Sequence, residues 1–460
     1  MGKPSFSSLH DLRDEFEQLK VSLSPEARTL FLMLLRMVEI LIGKKTNSRN
    51  GHTAPSQDPY RPKRPKQKSK NKQGGQPGHK GTTLLLTPNP DEVILHKATQ
   101  CSKCSSTLDR ISVSQLSRHQ IIDIVFKKVI IEHQVEHKLC SCGHHQCHFF
   151  GDSAPIQYGA GLKATAVELN QIQCISIDRT ALFLQKKFDI SLSPASVRNF
   201  TQLASQRLLI WEQSVKDELL EAAAIHADET GINLDGHNWW VHTLSTDKIT
   251  LMIPHEKRGM EGMVAAEVLP HYHGILCHDF WSAYTQLDVI HVACHAHLQR
   301  EFKKVSEDFG QAWAKRLAKL FLRANEERLL NEGGLSGERI GYYQQRFKTL
   351  LLAGERLNPI DSKRKGQRGK IGQTYPRRLI NRLKKYQDWV LLFIYDPTIP
   401  FTNNQGERDL RMLKVQQKVS GSFRSVEGAQ DQCRLRSYIL TKQKQGISSH
   451  QAMIELLRGS

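Results

Sequence analysis

Three acidic residues in the second half of the chain occupy positions at which they could bind divalent metal ions. Asp228 ends the apolar run AAAIHADET and Asp279 ends the apolar run GILCHDF, whereas Glu407 lies in PFTNNQGERDLRMLK, where a helical pattern begins. Strand ends at one edge of a sheet bring distant carboxylates together, and hard ions such as magnesium prefer oxygen ligands. Two such ions polarise an attacking water or hydroxyl and stabilise the leaving oxygen of a phosphate, so this pattern needs no nucleophilic side chain.

Each acid also has an ordinary structural interpretation. Asp228 would be a turn residue, and Asp279 would cap a helix formed by FWSAYTQL. Glu407 would form an N-x-x-E capping box with Asn404. The pattern alone leaves both interpretations open for every one of the three residues.

A second group with metal-binding chemistry is formed by cysteines. Five of the nine cysteines lie between Cys101 and Cys147, among several histidines, and such clustering favours a metal over disulfides in a reducing compartment. Cys101 and Cys104 have the C-x-x-C spacing of a zinc half-site, because one turn presents two thiolates to one tetrahedral ion. Cys140 and Cys142 stand one residue apart, which leaves other second halves and free cysteines in a β core open. The other candidate ligands are His144, His145 and Cys147.

Cys294 and His297 form a further C-x-x-H pair. A single pair lacks the four ligands of a structural zinc site. We therefore expect these two side chains to pack in the core or to support the surroundings of Asp279.

The charge of the chain indicates a polyanionic partner. Its net charge is +19, with 65 Lys and Arg against 46 Asp and Glu, and residues 44–80 hold eleven of the cations and one acid. This segment has almost no apolar residues, so we expect a flexible basic linker that contacts the DNA backbone or acts as a solvated tether. Its candidate DNA contacts are Lys63, Arg64, Lys66, Lys68 and Lys70.

A second group of cations follows Glu407 at spacings of three and four residues. This spacing predicts one basic face of a helix, suited to DNA phosphates or simply exposed to solvent. Its members are Arg408, Arg411, Lys414 and Lys418.

The elements that would position the acids are readable from hydrophobic periodicity. Five short apolar runs between residues 221 and 292 alternate with period two, and Asp235-Gly236 is a hairpin signal between two of them. This pattern predicts a mixed sheet that opens with an antiparallel meander. From residue 297 to 396 the pattern is helical and charged, and from Pro400 a loop leads into further helices.

The first half of the chain divides into helical and β-rich stretches. Residues 9–42 show helical spacing with a helix start at Ser24-Pro25, which predicts a helical hairpin, a coiled coil or an ordinary helix pair. Short alternating runs in residues 91–150 predict a small β-rich metal module. Residues 160–222 are helical, and Pro194 in FDISLSPASVRNFTQLASQRL starts the second helix of a helix-turn-helix outline, which is as typical of plain helix packing as of DNA recognition.

A membrane location is excluded by the apolar stretches. The longest, LFLMLLRMVEILIG, contains Arg36 and Glu39 and is shorter than the roughly 20 residues that a bilayer requires. The N-terminal residues MGKPSFSS also lack the apolar run of a signal peptide. We expect a cytoplasmic protein without a membrane partner.

Over nearly its whole length the chain resembles the large transposase of the insertion sequence sixty-six family. The motifs that carry the resemblance, in chain order, are KTNSRNGHTAPSQDP, GGQPGHKG, CSKCSSTL, CSCG, HADETG, CHDFWSAY, CHAHLQREF, GKIGQTYPRRLINRLKKY and DPTIPFTNNQGERDLRMLKVQQKVSGSFRS. The resemblance implies a multidomain α+β protein with a ribonuclease-H-like mixed α/β core, a DDE triad and a helical insertion. It places the triad on Asp228, Asp279 and Glu407.

The resemblance also implies the metal ions and their ligands. The triad would hold two Mg²⁺ or Mn²⁺ ions per active site, and one structural Zn²⁺ would be bound by a zinc-finger-like module. The zinc ligands would be Cys101, Cys104, Cys140 and Cys142, and the residues supporting the active site would be Cys294, His297 and Arg300. The family usually has Ala where this chain has Gly406, which weakens a helix by roughly 1 kcal/mol.

The implied function is DNA transposition: cleavage at the ends of a mobile element and joining of the 3′ hydroxyls to target DNA. Partners would be the terminal inverted repeats, target DNA, further copies of the chain in a dimer or higher oligomer, and accessory transposition proteins, at the bacterial nucleoid. The alternatives are a zinc-bearing DNA-binding protein without catalysis and a hybrid-cutting nuclease of the ribonuclease H class. The expected division is N-terminal helices 1–43, basic linker 44–90, zinc-finger-like module 91–155, helical DNA-binding region 156–220, catalytic core 221–304 and 397–445, helical insertion 305–396 and C-terminal helix 446–460.

Overall fold

The computed structural model describes residues 18, 22–44, 85–124, 127–147, 156–331, 333–360 and 372–458. The chain divides into two compact units, one formed by residues 1–61 together with 135–460, the other by residues 62–134. In the described ranges, all regular helices and strands belong to the first unit. The candidate DNA contacts of the basic linker, from Lys63 to Lys70, lie outside the described residues.

The centre of the first unit is a five-stranded mixed sheet, preceded in the chain by a two-stranded hairpin. The hairpin consists of β1 (His137–Leu139) and β2 (His145–Cys147), and the sheet of β3 (Ala224–Leu234), β4 (His237–Ser245), β5 (Thr250–His255), β6 (Ile275–His278) and β7 (Ile290–Ala293). The strand order is β5-β4-β3-β6-β7. Strands β3, β4 and β5 are antiparallel neighbours, whereas β6 and β7 run parallel to β3. The expected mixed sheet with an opening meander is confirmed.

The turn between β3 and β4 follows the expectation, but the length of β3 does not. Asp235 and Gly236 have φ values of 47° and 85°, the left-handed pair that a two-residue hairpin requires. The first apolar run and the INL part of the second, which we expected in separate strands, form one strand of eleven residues. Asp228 therefore lies inside a strand and not at its end. Gly231 is tolerated there because the ring of Trp240 on β4 fills the space beside it, 3.6 Å from where a Cβ would be.

Helices cover both faces of the sheet. One face packs against α12 (Asn404–Ser420) and α13 (Val426–Lys444), with Ile232 of β3 in the same apolar cluster as Leu410 and Leu413 of α12. On the other face, Ile225 of β3 packs with α5 (Leu209–Leu220). Because side chains alternate along a strand, Asp228 points to the side of α12 and its neighbour Glu229 to the opposite side.

A helical segment separates β7 from α12. It contains α7 (His295–Asp308), α8 (Ala312–Leu330), α9 (Gly337–Leu357), α10 (Tyr375–Lys385) and α11 (Gln387–Leu391). Phe302, Phe321, Phe347 and Phe393 lie in its core together with residues of β6 and β7. The segment begins at His295, so the expected boundary at residue 305 falls inside α7.

The helices before the sheet pack against the last helices of the chain. They are α2 (Ala160–Val167), a π-helical turn (Glu168–Ile172), α3 (Ile177–Phe188) and α4 (Pro194–Arg207), and they share an apolar cluster with α13 and α14 (Ser449–Arg458). Helix α4 begins at Pro194, as expected, and the hydroxyl of Ser193 accepts a hydrogen bond from the Ser196 amide at 3.0 Å. The C-terminal helix starts three residues after the expected residue 446.

At the N-terminal end, α1 (Pro25–Lys44) begins at the expected proline. The Ser24 hydroxyl accepts a hydrogen bond from the Ala27 amide at 3.2 Å. The expected preceding helix of residues 9–23 lies almost wholly outside the described residues. Among the helices that are described, none is both long and apolar enough to span a bilayer.

The expected β-rich module is only partly a β structure. In the described residues from 91 to 147, regular pairing is limited to the three-residue strands β1 and β2 and an isolated bridge between Gln100 and Thr107. Val93, Ile121 and Ile130 of the alternating runs are exposed. Alternation alone predicted strands there, but a strand needs a partner and an apolar face to pack against.

Candidate active site

The first two acids are brought together by the pairing of parallel strands. Strands β3 and β6 pair in parallel, and the last registered pair is His226 with Cys277. Continued by two positions, this register brings Asp228 level with Asp279, which directly follows β6. Neighbouring strands lie about 4.8 Å apart. Asp228 on β3 and Asp279, just past the end of β6, thus lie at one level of the sheet.

The carboxyl group of Asp228 is in an electrostatically unfavourable position. Burial, followed by the negative charges of Glu229 and Asp279, raises its pKa well above the ordinary range of aspartate. The charge of Glu407 raises the pKa further, while a hydrogen bond from the Glu229 amide to Oδ1 at 2.9 Å lowers it. A buried carboxylate among other acids favours the binding of a proton or a cation.

Asp279 lies at a sharp turn. The next residue, Phe280, has φ 67°, a left-handed conformation that bulky residues rarely adopt and that is typical of functional sites. Two amide hydrogen bonds hold the turn: Phe280 N donates to His278 Nδ1 at 3.2 Å, and Trp281 N donates to Asp279 Oδ1 at 2.9 Å. Within FWSAYTQL the structure has only the short 3-10 turn Tyr284–Gln286 and no α-helix, so the interpretation of Asp279 as the cap of such a helix is wrong.

Glu407 lies on the first turn of α12, and Asn403 attaches this helix to the sheet. The buried Asn403 side chain donates from Nδ2 to the Ala227 carbonyl at 2.7 Å and accepts at Oδ1 from His226 Nδ1 at 3.1 Å. The backbone amide of Asn403 donates a hydrogen bond to Cys294 Sγ at 3.1 Å. Asn403 was missed in the sequence, where the second asparagine, Asn404, drew the capping-box interpretation. In the structure Asn403 precedes the helix and its side chain binds the sheet.

The residue before Glu407 touches the first acid. A Cβ atom built on Gly406 would lie 3.2 Å from the Cβ of Asp228 and 3.3 Å from Asn403 Oδ1. The backbone of α12 therefore contacts β3 at Asp228. The negative charge of Glu407 also acts on the pKa of Asp228, so the third acid belongs to the same electrostatic group as the first two.

The carboxylate of Glu407 is held by side chains of α7. His297 Nε2 lies 3.5 Å from Oε1, and Arg300 Nη2 lies 3.3 Å from Oε2. Cys294, at the start of the same helix, is buried and accepts the hydrogen bond from Asn403. We expected Cys294 and His297 to pack in the core or to support Asp279. Both are buried, and they contact Asn403 and Glu407, because α7 runs beside the start of α12.

A fourth acid was missed in the sequence. The Glu229 side chain is 2% exposed and is paired with Arg258 at 2.7 Å, and the Tyr284 hydroxyl donates to its Oε2 at 2.8 Å. Burial and the charge of Asp279 raise its pKa, whereas the bonds from Arg258 and Tyr284 lower it. Two adjacent acids in HADET were the only sequence signal, and nothing marked Arg258 as the partner.

These carboxylates share one region, but they are not arranged around a single ion. Within the described ranges, no three His, Cys, Asp or Glu side chains are grouped as metal ligands. The reason is visible at each acid: Asp228 and Asp279 accept backbone amides, and Glu407 faces His297 and Arg300. Glu407 is 29% exposed, so a change of side-chain rotamer is the movement that would turn it toward the others.

Comparison with known proteins assigns the family. The sequence model of the transposase IS66 family matches residues 155–431, more than half of the chain. The chain belongs to this family. Its transposase role makes it a DNA-processing, DNA-binding enzyme of a group that generally uses divalent metal ions. Among curated proteins, no sequence matches it significantly.

In this transposase the four expected zinc ligands form two close pairs. The Cys104 thiol contacts Ser106 Oγ at 3.3 Å, and hydrogen bonds from Ser106 and Cys101 lower its pKa to about 7. The pKa of Cys140 is lowered by hydrogen bonds from Cys142 and Ser141. Thiolate is the form that binds metal. The first pair belongs to residues 62–134 and the second to the hairpin turn between β1 and β2.

The basic helical face beyond Glu407 is directed to solvent. Arg408, Arg411, Lys414 and Lys418 are all exposed on α12. The ammonium group of Lys414 also donates to the carbonyl of Gly231 on β3, and partial burial lowers its pKa. The expected basic face is therefore present on this surface of the transposase.

Proposed function

We propose that this chain is a DDE transposase that cuts DNA at the ends of a mobile element and joins the resulting 3′ hydroxyls to target DNA. Asp228, Asp279 and Glu407 would hold two divalent metal ions. The observation that carries the proposal is the proximity of the three acids in a chain of a transposase family. Asp228 lies level with Asp279, and a Cβ on Gly406, the residue before Glu407, would lie 3.2 Å from the Cβ of Asp228.

The chemistry of these side chains fits Mg²⁺ or Mn²⁺. Carboxylate oxygens are the ligands that hard divalent ions prefer, and one or two carboxylates per ion leave positions for substrate phosphate. When bound, such a pair of ions activates an attacking water or DNA hydroxyl and stabilises the leaving oxygen. Asp228 and Asp279 would hold their positions through the sheet, and Glu407 would leave His297 and Arg300 to join them.

The architecture supports a ribonuclease-H-like core. The sheet order β5-β4-β3-β6-β7 combines an antiparallel meander with two parallel strands. Asp228 lies on β3, and Asp279 directly follows the neighbouring strand β6. Glu407 reaches this level from a helix that packs on β3. The helices between β7 and α12 would be the insertion that separates the second acid from the third.

We assign DNA recognition to the first half of the chain. Helix α4, the second helix of the helix-turn-helix outline, exposes Asn199, Gln202 and Gln206 at spacings of three and four residues. Asn and Gln side chains are suited to adenine edges in the major groove. The basic linker and the zinc-finger-like module with Cys101, Cys104, Cys140 and Cys142 would add contacts. Because two element ends are cut in one assembly, the active form would be a dimer or higher oligomer.

A strand-transfer assay with Mg²⁺ and the terminal inverted repeats of the element tests the proposal. Asp228→Asn, Asp279→Asn and Glu407→Gln should each remove all product. Asp235→Asn is a matched control, because Asp235 lies in the β3–β4 turn and asparagine tolerates its φ of 47°. Product from any of the first three variants would remove that residue from the site.

A non-catalytic, zinc-bearing DNA-binding protein is the second candidate. It is favoured by the orientation of Glu407, whose carboxylate faces His297 and Arg300. The two functions are separated by filter binding combined with a nuclease assay. Metal-independent binding without cleavage of any DNA, including the element ends, would support the second function and contradict the first.

A further inference from the structure

Arg258 is held in a fixed orientation beside the acids. Its Nε and Nη2 both donate to Glu229 Oε1, at 3.1 and 2.7 Å. The guanidinium carbon lies 4.2 Å from the ring centroid of Trp281 and 4.8 Å from that of Trp240. A carboxylate and two indole rings thus determine where this cation points.

The loop that carries Arg258 is also held. It connects β5 to the short helix α6 (Met260–Val264). His242 Nε2 donates to the Lys257 carbonyl at 3.1 Å, and the Lys257 amide donates to His255 Nδ1 at 3.0 Å. A Cβ on Gly262 would lie 2.2 Å from that carbonyl, so the loop packs against α6 with no room for a side chain. These contacts fix the backbone of the loop, and with it the position of the Arg258 backbone.

Arg258 contacts one neighbour of each of the two acids Asp228 and Asp279. Its partner Glu229 follows Asp228 on β3, and its stacking partner Trp281 donates its amide to Asp279. The Arg258 side chain remains 40% exposed, and its Nη1 has no hydrogen-bond partner among the described residues. A fixed and partly exposed cation therefore lies beside a group of carboxylates that would repel the phosphates of DNA.

We propose that Arg258 is a DNA-binding residue of the catalytic core and that its free guanidinium edge binds a backbone phosphate next to the one being cut. This inference rests on the proposed function of the acids. Guanidinium suits phosphate geometry, and an arginine that is already oriented loses little conformational entropy on binding. Its charge offsets the repulsion between the carboxylates and the DNA. Glu229 and the two tryptophans act as positioning residues.

The test measures binding of a labelled duplex that carries the terminal inverted repeat of the element, in EDTA, as a function of salt. Arg258→Gln should reduce the slope of log K against log[NaCl] by about 0.9, which corresponds to roughly eightfold weaker binding at 0.1 M salt. Arg339→Gln is the matched control and should leave the slope unchanged. Arg339 is 39% exposed, paired with Glu327 and stacked on Tyr342, but it lies on α9 of the helical segment.

A double variant separates a DNA contact from a structural role. If Arg258 only neutralises Glu229, then Arg258→Gln combined with Glu229→Gln removes the unpaired buried charge and should restore both the melting temperature and the salt slope. If Arg258 binds phosphate, the double variant regains melting temperature but keeps the reduced slope. Restoration of the slope, or an unchanged slope in the single variant, would overturn the inference. Because no metal is present, either result is independent of whether the acids catalyse strand transfer.

Discussion

Gly406 faces Asp228 so closely that a Cβ atom on this glycine would lie 3.2 Å from the Cβ of Asp228. A glycine inside a helix normally costs roughly 1 kcal/mol relative to alanine. Here the missing side chain lets α12 approach β3 at the first acid. The gain from alanine is opposed by overpacking, which typically costs about 1–3 kcal/mol.

Gly406→Ala should therefore lower the free energy of unfolding by about 0–2 kcal/mol, measured by urea denaturation, and should reduce strand transfer because α12 is displaced from β3. Gly341→Ala is the control. Gly341 lies inside α9 with no atom within 4 Å of its Cβ position, so alanine should stabilise the protein by roughly 1 kcal/mol. An equal stabilisation by both substitutions would show that α12 and Asp228 accommodate the added methyl group without loss of free energy of unfolding.

The buried Asp228 predicts a pH-dependent stability in the absence of metal. Its pKa is higher in the folded than in the unfolded chain, so the folded state binds more protons between the two pKa values. Stability is therefore lost as the pH rises from the ordinary aspartate pKa through the raised one. Asp228→Asn removes this loss and should melt at a higher temperature than the wild type at pH 7 in EDTA, with the difference disappearing near pH 4.

Asp396→Asn should have the opposite effect and lower the melting temperature at pH 7. Hydrogen bonds from Thr398 lower the pKa of Asp396, so its charged form stabilises the fold above the ordinary pKa, and that contribution is lost on neutralisation.

Mg²⁺ should raise the melting temperature of the wild type more than that of Asp228→Asn. A lower melting temperature of Asp228→Asn at pH 7 in EDTA would contradict the burial of an unfavourable charge.

Local sequence signals predicted the elements of the site better than its contacts. The parallel strand before Asp279, the hairpin at Asp235 and the helix start near Glu407 each have a signal within a few residues, namely an apolar run, an Asp-Gly pair and a break in periodicity. Strand β3 was divided in two because Gly231 interrupts the apolar pattern. Only the structure shows that Trp240 on the next strand fills that gap.

The contacts that were missed join residues far apart in the chain. Asn403 binds Ala227 across 176 positions, and Arg258 pairs with Glu229 across 29 positions. Neither partner lies at a helical or strand spacing from the other, so periodicity carries no information about them. The assignment of Glu407 to the same site as Asp228 came from family motifs and not from a local pattern.

Arg300 should compete with metal for Glu407. The guanidinium lies 3.3 Å from the Glu407 carboxylate, and this contact competes with the binding of an ion by the same oxygens. Arg300→Met should therefore increase the affinity for Mn²⁺, measured by electron paramagnetic resonance titration without DNA. The expected change is up to about fivefold, because an ion pair of this kind contributes roughly 1 kcal/mol or less.

Lys303→Met is the control for this prediction. Lys303 lies on the same helix, but it is exposed and pairs with Glu307 at 3.8 Å. Its replacement removes one positive charge near the site without releasing Glu407. Equal effects of the two substitutions would assign the change to general electrostatics, and unchanged affinity in Arg300→Met would mean that Glu407 is not among the metal ligands.

The exposed Asn and Gln side chains of α4 should bind DNA bases and make binding sequence-specific. Gln202→Ala should lower the ratio between affinity for the element end and affinity for unrelated duplex by about fivefold to a hundredfold, because a good bidentate base contact contributes roughly 1–3 kcal/mol. The salt slope should stay unchanged, since no phosphate contact is lost. Competition binding with both duplexes measures the ratio. Gln345→Ala on α9, also an exposed amide, should leave it unaltered, and equal ratios in the two variants would reduce α4 to a packing helix.

Zinc content tests the cysteine pairs. Elemental analysis should find about one tightly bound zinc per chain, because four thiolates complete one tetrahedral site. Cys101→Ser and Cys140→Ser should each remove it, since a structural zinc binds poorly to three ligands. Cys147→Ser tests which residues complete the second pair of zinc ligands. Retained zinc in this variant supports Cys140 and Cys142, whereas lost zinc would make Cys147 of β2 a ligand. A zinc-free preparation with full strand-transfer activity would show that the cysteines have no metal role.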